Sequence, residues 1–115
     1  MSVVEQYARA HIVTDEDIQE DPGAIPVVLR YDPDADPRAV RIDLPGTHEW
    51  TFSRSLLEQG LRAPAGSGDV RVWPCGRVQA VVEFHSAQGV SVVQFESKTL
   101  ARFLRRTYTA TPVAH

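Results

Sequence analysis

The chain holds one cysteine and one lysine, and no long apolar run. Cys75 alone closes no internal disulfide and, without a neighbouring cysteine, builds no zinc site. The four histidines, His11, His48, His85 and His115, have no close spacing such as His-x-x-x-His, so neither a metal nor a cofactor is expected. No stretch approaches the roughly 18 consecutive apolar residues of a membrane-spanning helix, and no basic start followed by an apolar block marks a secretory signal. A cytoplasmic protein of one domain, over residues 1–115, is the expectation. Its hydrophobic fraction of 43% is that of an ordinary globular chain, and its length suffices for one core without covalent staples.

Basic charge is carried by eleven arginines against the single Lys98, and the formal net charge is −3. The charge is uneven. Residues 1–36 hold nine acids against Arg9 and Arg30, and residues 37–115 hold six acids against ten bases. A nonspecific nucleic-acid binder needs a basic excess over the domain. The balance here disfavours one, although the C-terminal part is basic.

Hydrophobic periodicity gives the elements. In "SVVEQYARAHIVT" Val4, Ala8, Ala10 and Ile12 alternate with Val3, Tyr7, His11 and Val13, which predicts a long strand. The acidic "DEDIQEDPG" (15–23) reads as a loop. Strands follow at "AIPVVLRY", with Ile25, Val27, Leu29 and Tyr31 on one face, and at "RAVRIDL", with Val40, Ile42 and Leu44. A fourth, "EWTFS", aims Trp50 and Phe52 the same way. "DPDADP" and "PGTH" are turns short enough for hairpins. "SRSLLEQGL" changes the period: Ser53 caps a helix with Leu56 and Leu57 inside, and Gly60 reads as its left-handed terminus. "GSGDVRVWPCG" (66–76), "RVQAVVEFH" and "VSVVQFE" are three more strands, joined as a meander. Val78, Ala80, Val82 and Phe84 share one face of the middle one. In "SKTLARFLRRTYT" Leu100, Phe103, Leu104 and Thr107 lie at helical spacing opposite Lys98, Arg102, Arg105 and Arg106. The order β-β-β-β-α-β-β-β-α predicts an α+β domain, antiparallel sheets with two helices.

Catalytic constellations are missing. "PAGSGD" has the glycines of a phosphate loop but follows a helix, enters a strand and lacks the lysine. Asp32, Asp34 and Asp36 echo the start of a calcium loop without its glycine and distal glutamate. No Ser-His-Asp or Cys-His set can be assembled, so the chain is not expected to be an enzyme. The basic helix face carrying Arg102, Arg105 and Arg106 has two readings. It is a solvated face whose arginine stems cover apolar surface, or a patch for an acidic partner or nucleic acid.

"RYDPDADPRAV", "WTFSRSLLEQGL", "PAGSGDVRVWP" and "FLRRT" occur in that order. Together, over about residues 25–112, they resemble the SsgA-like proteins of sporulating actinomycetes. The resemblance implies a Whirly-like fold assembled as a homotrimer. It also implies a non-catalytic role in positioning and assembling the septum in sporulation-specific cell division, or in cell-wall remodelling. Implied partners are division-machinery proteins such as FtsZ or another SsgA-like protein, with recruitment to division septa; a Whirly-like binder of single-stranded nucleic acid is the alternative. The sequence departs from the family pattern at Ser55, where an acid is frequent, in the short "PCG" loop and at Ala87 in place of proline. It also ends without the acidic tail of many members, so a role of that tail is not carried over.

The residues that carry the resemblance are the candidate interface or fold-defining set: Trp50, Arg54, Asp69, Arg71 and Trp73. Asp69 and Arg71 share a strand face with Trp73, where they can form a polar pair beside it. Trp73 itself reads first as core or oligomer, and otherwise as a partner contact.

Overall fold

Two-residue alternation in the first half is realised as four strands, β1 (Val4–Val13), β2 (Ile25–Tyr31), β3 (Ala39–Leu44) and β4 (His48–Ser53), in a computed structural model of the chain. The structure describes residues 3–13, 25–44, 48–87 and 89–110. The predicted loop at 15–23 and most of the "PGTH" turn lie outside them. Helix α1 (Arg54–Gly60) follows, then β5 (Ala65–Ser67), β6 (Val70–Cys75), β7 (Gln79–Ser86), β8 (Gly89–Glu96) and helix α2 (Ser97–Ala110).

All pairings are antiparallel, in one sheet of order β4-β3-β2-β1-β8-β7-β6-β5. Two meanders are therefore joined edge to edge through β1. Its residues Val4 to Ala10 pair with β2, and His11 to Val13 pair with β8. A strand shared in this way lets the sheet curl around one core. The inner face carries Val27, Leu29 and Tyr31 of β2, Val40 and Ile42 of β3, Val72 of β6, Val82 and Phe84 of β7, and Val93 and Phe95 of β8. Leu57 of α1 and Leu100 and Phe103 of α2 complete that cluster.

The expected order of elements holds with one strand added. "AGS" is a short strand rather than loop, because Gly68, at φ 61°, turns the chain so that Ala65–Ser67 pairs with β6. The glycine-rich stretch is thus a hairpin. The expected plural sheets are one sheet. Val78 does not join the inner face: it sits in the turn after Gly76 and is 68% exposed.

Local chemistry fixes the connections. Asp32 Oδ1 accepts from the amides of Asp34 (3.0 Å) and Ala35 (3.4 Å), and Asp36 Oδ1 from that of Arg38 (2.9 Å). These are Asx turns and not a cation site. Ser53 Oγ accepts from Leu56 N at 3.2 Å, the expected cap. Gly60 departs from expectation. It is a buried residue of the helix itself, and Leu61, at φ −75°, forms the cap. A Cβ at Gly60 would lie 2.3 Å from the Val72 Cβ, so the missing side chain is what lets α1 lie against β6.

Candidate contact surfaces

Strand parity separates the candidate residues. On β6, Val70 and Val72 point inward, so Arg71 and Trp73 point outward. Trp73 is half-buried and outside the core cluster, which corrects the expectation that it serves the core. Val70 and Val72, which alternate with it, lie on the opposite face.

The three-residue turn after Cys75 sets Trp73 opposite Val81 and Arg71 opposite Glu83. The indole Nε1 donates to Glu83 Oε2 at 2.8 Å, and His85 Nε2 lies 3.1 Å from Glu83 Oε1. Asp69 and Arg71 do not pair with each other: among the described residues neither joins an ion pair. Asp69 precedes β6, exposed, and its carbonyl accepts from the His85 amide (2.8 Å). Beneath this group Val81 is only 3% exposed although it faces outward. Its neighbour across β8, Gln94, donates Nε2 to Gln79 Oε1. The result is a small outer-face cluster with an aromatic plate, an anion and a histidine.

Burial alone would raise the Glu83 pKa. Donation from Trp73 and His85, with the charge of Arg71, overcomes this and holds it below the ordinary glutamate value. A depressed carboxylate pKa stabilises the fold above the unfolded-state value, and that stabilisation is lost as pH falls through the folded one. Glu83→Gln should therefore lower the melting temperature at neutral pH, with the difference from wild type vanishing in acid. A red or blue displacement of Trp73 emission over the same acid range, absent in the variant, checks the same bond.

Trp50 lies on the inner face and stacks on Phe84, ring centroids 3.4 Å apart. Phe52 meets the same ring edge-on at 5.8 Å. Trp50 also walls a cleft of about 710 Å³ at the end of the inner space, with Ile12, Ile25, Leu44, Val90 and Val93. Asp69 stands on its rim with Glu49 and His85. The structure thus brings Trp50 and Asp69 to one opening while Trp73 and Arg71 face outward.

Arg54 is a clamp. It begins α1, its Nη1 donates to Tyr31 Oη at 3.3 Å, and its guanidinium lies 4.0 Å from the centre of the Tyr108 ring. Tyr31 Oη donates onward to Pro37 O (2.9 Å). The Tyr108 hydroxyl donates to Glu58, and this bond, with burial, raises its pKa. A cation between two tyrosines ties β2, α1 and α2 together.

The basic face of α2 is real and exposed at Arg102 and Arg105. Arg106 is more constrained: its Nη1 donates to Glu5 O and Gln6 Oε1, both at 3.3 Å. Sequence reasoning assigned no contact role to Glu83, His85 or Tyr108, and placed Phe84 only on a strand face. The two-residue step from Glu83 to His85 and the tight "PCG" turn carried the signal for the first two. Tyr108 meets Arg54 only through the tertiary fold.

These features define a small curled-sheet α+β protein whose candidate groups lie on outward faces and around one open cleft. The chain belongs to the SsgA family: the model of the Streptomyces sporulation and cell division protein SsgA matches residues 25–115. It is 40% identical to the sporulation-specific cell division protein SsgB of Frankia casuarinae, over 80% of this chain and 71% of that one. It is also 40% identical to SsgB of Streptomyces coelicolor, over 76% and 69%. A solved structure from work on SsgB mutations and longitudinal cell division in sporulating Streptomyces coelicolor superposes with a TM-score of 0.81. Its identity is 32%, over 96% of this chain and 90% of the other. The SsgA-like protein of Thermobifida fusca gives a TM-score of 0.76 at 29% identity, over 98% and 85%.

Proposed function

We propose that this chain is a non-catalytic regulator of sporulation-specific cell division that acts by protein contact in positioning and assembling the septum. It works as a homotrimer, from the cytoplasm, recruited to division septa through a division-machinery protein such as FtsZ or another SsgA-like protein. Membership of the SsgA family across most of the chain is the observation that carries this reading. The surface supports it. Tyr7 is 76% exposed and Val90 56%, apolar area of the kind that partners cover. Strands β4 and β5 are the outer strands of the sheet, and strand edges favour association unless covered. Among the described residues no helix is long and apolar enough to cross a membrane.

Light scattering at micromolar concentration should give the mass of a trimer of the 12.8 kDa chain. A mass that stays at one protomer contradicts the assembly. A fluorescent fusion expressed in the native host should collect at sporulation septa; a uniform signal through septation contradicts the role.

A further inference from the structure

Elsewhere on the molecule three arginines are in ion pairs: Arg30 with Glu5 at 2.9 Å, Arg41 with Asp43 at 2.8 Å and Arg62 with Glu58 at 3.9 Å, while Arg9, Arg38, Arg71 and Arg77 join none among the described residues. On α2 none is in one. Among the described residues no ion pair includes Lys98, Arg102, Arg105 or Arg106, although the chain as a whole has more acids than bases. Lys98, Arg102, Arg105 and Thr109 recur at the four- and three-residue steps of one helix side, with Arg106 next to them. The helix contains no acid. Arg102, Arg105, Arg106 and Thr109 line a groove of about 510 Å³ that has Val4 and Ala110 as its apolar part. Arg106 is held in place against β1 by Glu5 O and Gln6 Oε1, and Gln6 is held in turn by its bond to Thr99 O (3.0 Å). One guanidinium is thus pre-oriented beside two that have no carboxylate, an arrangement suited to carboxylate recognition.

We infer that this groove between α2 and the start of β1 docks a short acidic peptide segment of a protein partner. The inference rests on the contact role proposed above and names the chemistry of one contact. Size and surroundings select the occupant. From Lys98 to Thr109 the stripe is about 16 Å long, the span of about five extended residues. Acids flank it: Glu96 shares a groove with Arg102 and Arg9, and Glu58 holds Tyr108, while the Glu5 carboxylate is already paired with Arg30. A long polyanion leaving the stripe would run against these carboxylates within screening distance. Two or three carboxylates on a short segment with an apolar side chain toward Val4 and Ala110 would not.

The probe is a blocked hexapeptide alternating glutamate and leucine, titrated to millimolar concentration into the 15N-labelled protein. Amide shifts should concentrate at Gln6, Arg102, Arg105, Arg106 and Thr109. The same peptide with glutamine for glutamate should give none, and Arg102→Glu/Arg105→Glu should weaken binding about tenfold or more. Circular dichroism verifies the fold, and Arg102→Gln/Arg105→Gln replaces the reversal if the latter does not fold. The inference is overturned if shifts are absent or scattered. It is also overturned if a single-stranded oligonucleotide displaces the peptide and binds more tightly, or if the double variant loses assembly, which would assign the groove to a second copy. A double variant that still binds the division partner sinks this inference alone. A wild type that binds no such partner sinks the proposed function and leaves the peptide result standing.

Discussion

Phe84→Ala should lower stability by about 3–5 kcal/mol, the cost of deleting a buried aromatic ring. Phe84 is 6% exposed and belongs to the core. Its position gives the loss a particular meaning. Four strands separate β4 from β7 in the sheet order, yet Trp50 and Phe52 of β4 both touch the Phe84 ring of β7. The contact closes the curl across its interior, so the cavity opens where the two halves meet. Trp50→Ala should cost less, because its indole is only half-buried at the cleft. The two changes together should be less than additive, since they remove the same contact. Urea unfolding of the two single variants and the double reads all three quantities. A Phe84→Ala loss below about 1 kcal/mol would show that the closure does not depend on this ring.

Gly60→Ala should destabilise by about 1–3 kcal/mol or more, as overpacking does. Helix propensity alone predicts the opposite, a gain of about 1 kcal/mol. The sign therefore decides between local preference and tertiary contact. The new methyl would stand 2.3 Å from both Cβ and Cγ1 of Val72 and 2.8 Å from its carbonyl oxygen. Trimming Val72 to alanine leaves its Cβ and carbonyl in place, so Val72→Ala should not rescue the variant; α1 has to move off β6. Thermal melting of the two single variants and the double checks this. A melting temperature raised by Gly60→Ala would contradict the close approach.

Most of the fold was legible because alternation and helical spacing report burial directly. Val27, Leu29 and Tyr31, and Leu100, Phe103, Leu104 and Thr107, lie where periodicity put them. Ser53 caps α1 as its side chain predicts. β5 was missed because three small residues carry no apolar pattern, and it exists only because Gly68 folds it back on β6. Gly60 was misread because a helix-terminal glycine serves left-handed backbone and close packing alike, and only the neighbour distinguishes them. The surfaces were less legible still. Trp73 is placed by parity, which the alternating valines indicated, but its partner Glu83 comes from the next strand. The Asp69–Arg71 pair failed because residues two apart on a strand share a face without being required to meet, whereas cross-strand neighbours are nearer. Arg54 finds Tyr31 and Tyr108 across 23 and 54 residues, contacts that no local pattern encodes.

Direct contact with the division machinery is what the proposed role requires. Purified chain, shown to be folded by circular dichroism, is titrated against purified FtsZ from the same organism by biolayer interferometry. A saturable interaction in the micromolar range or tighter is the predicted result. Absence of binding at tens of micromolar by folded protein, alone or with another SsgA-like protein of that organism added, would contradict the proposed role.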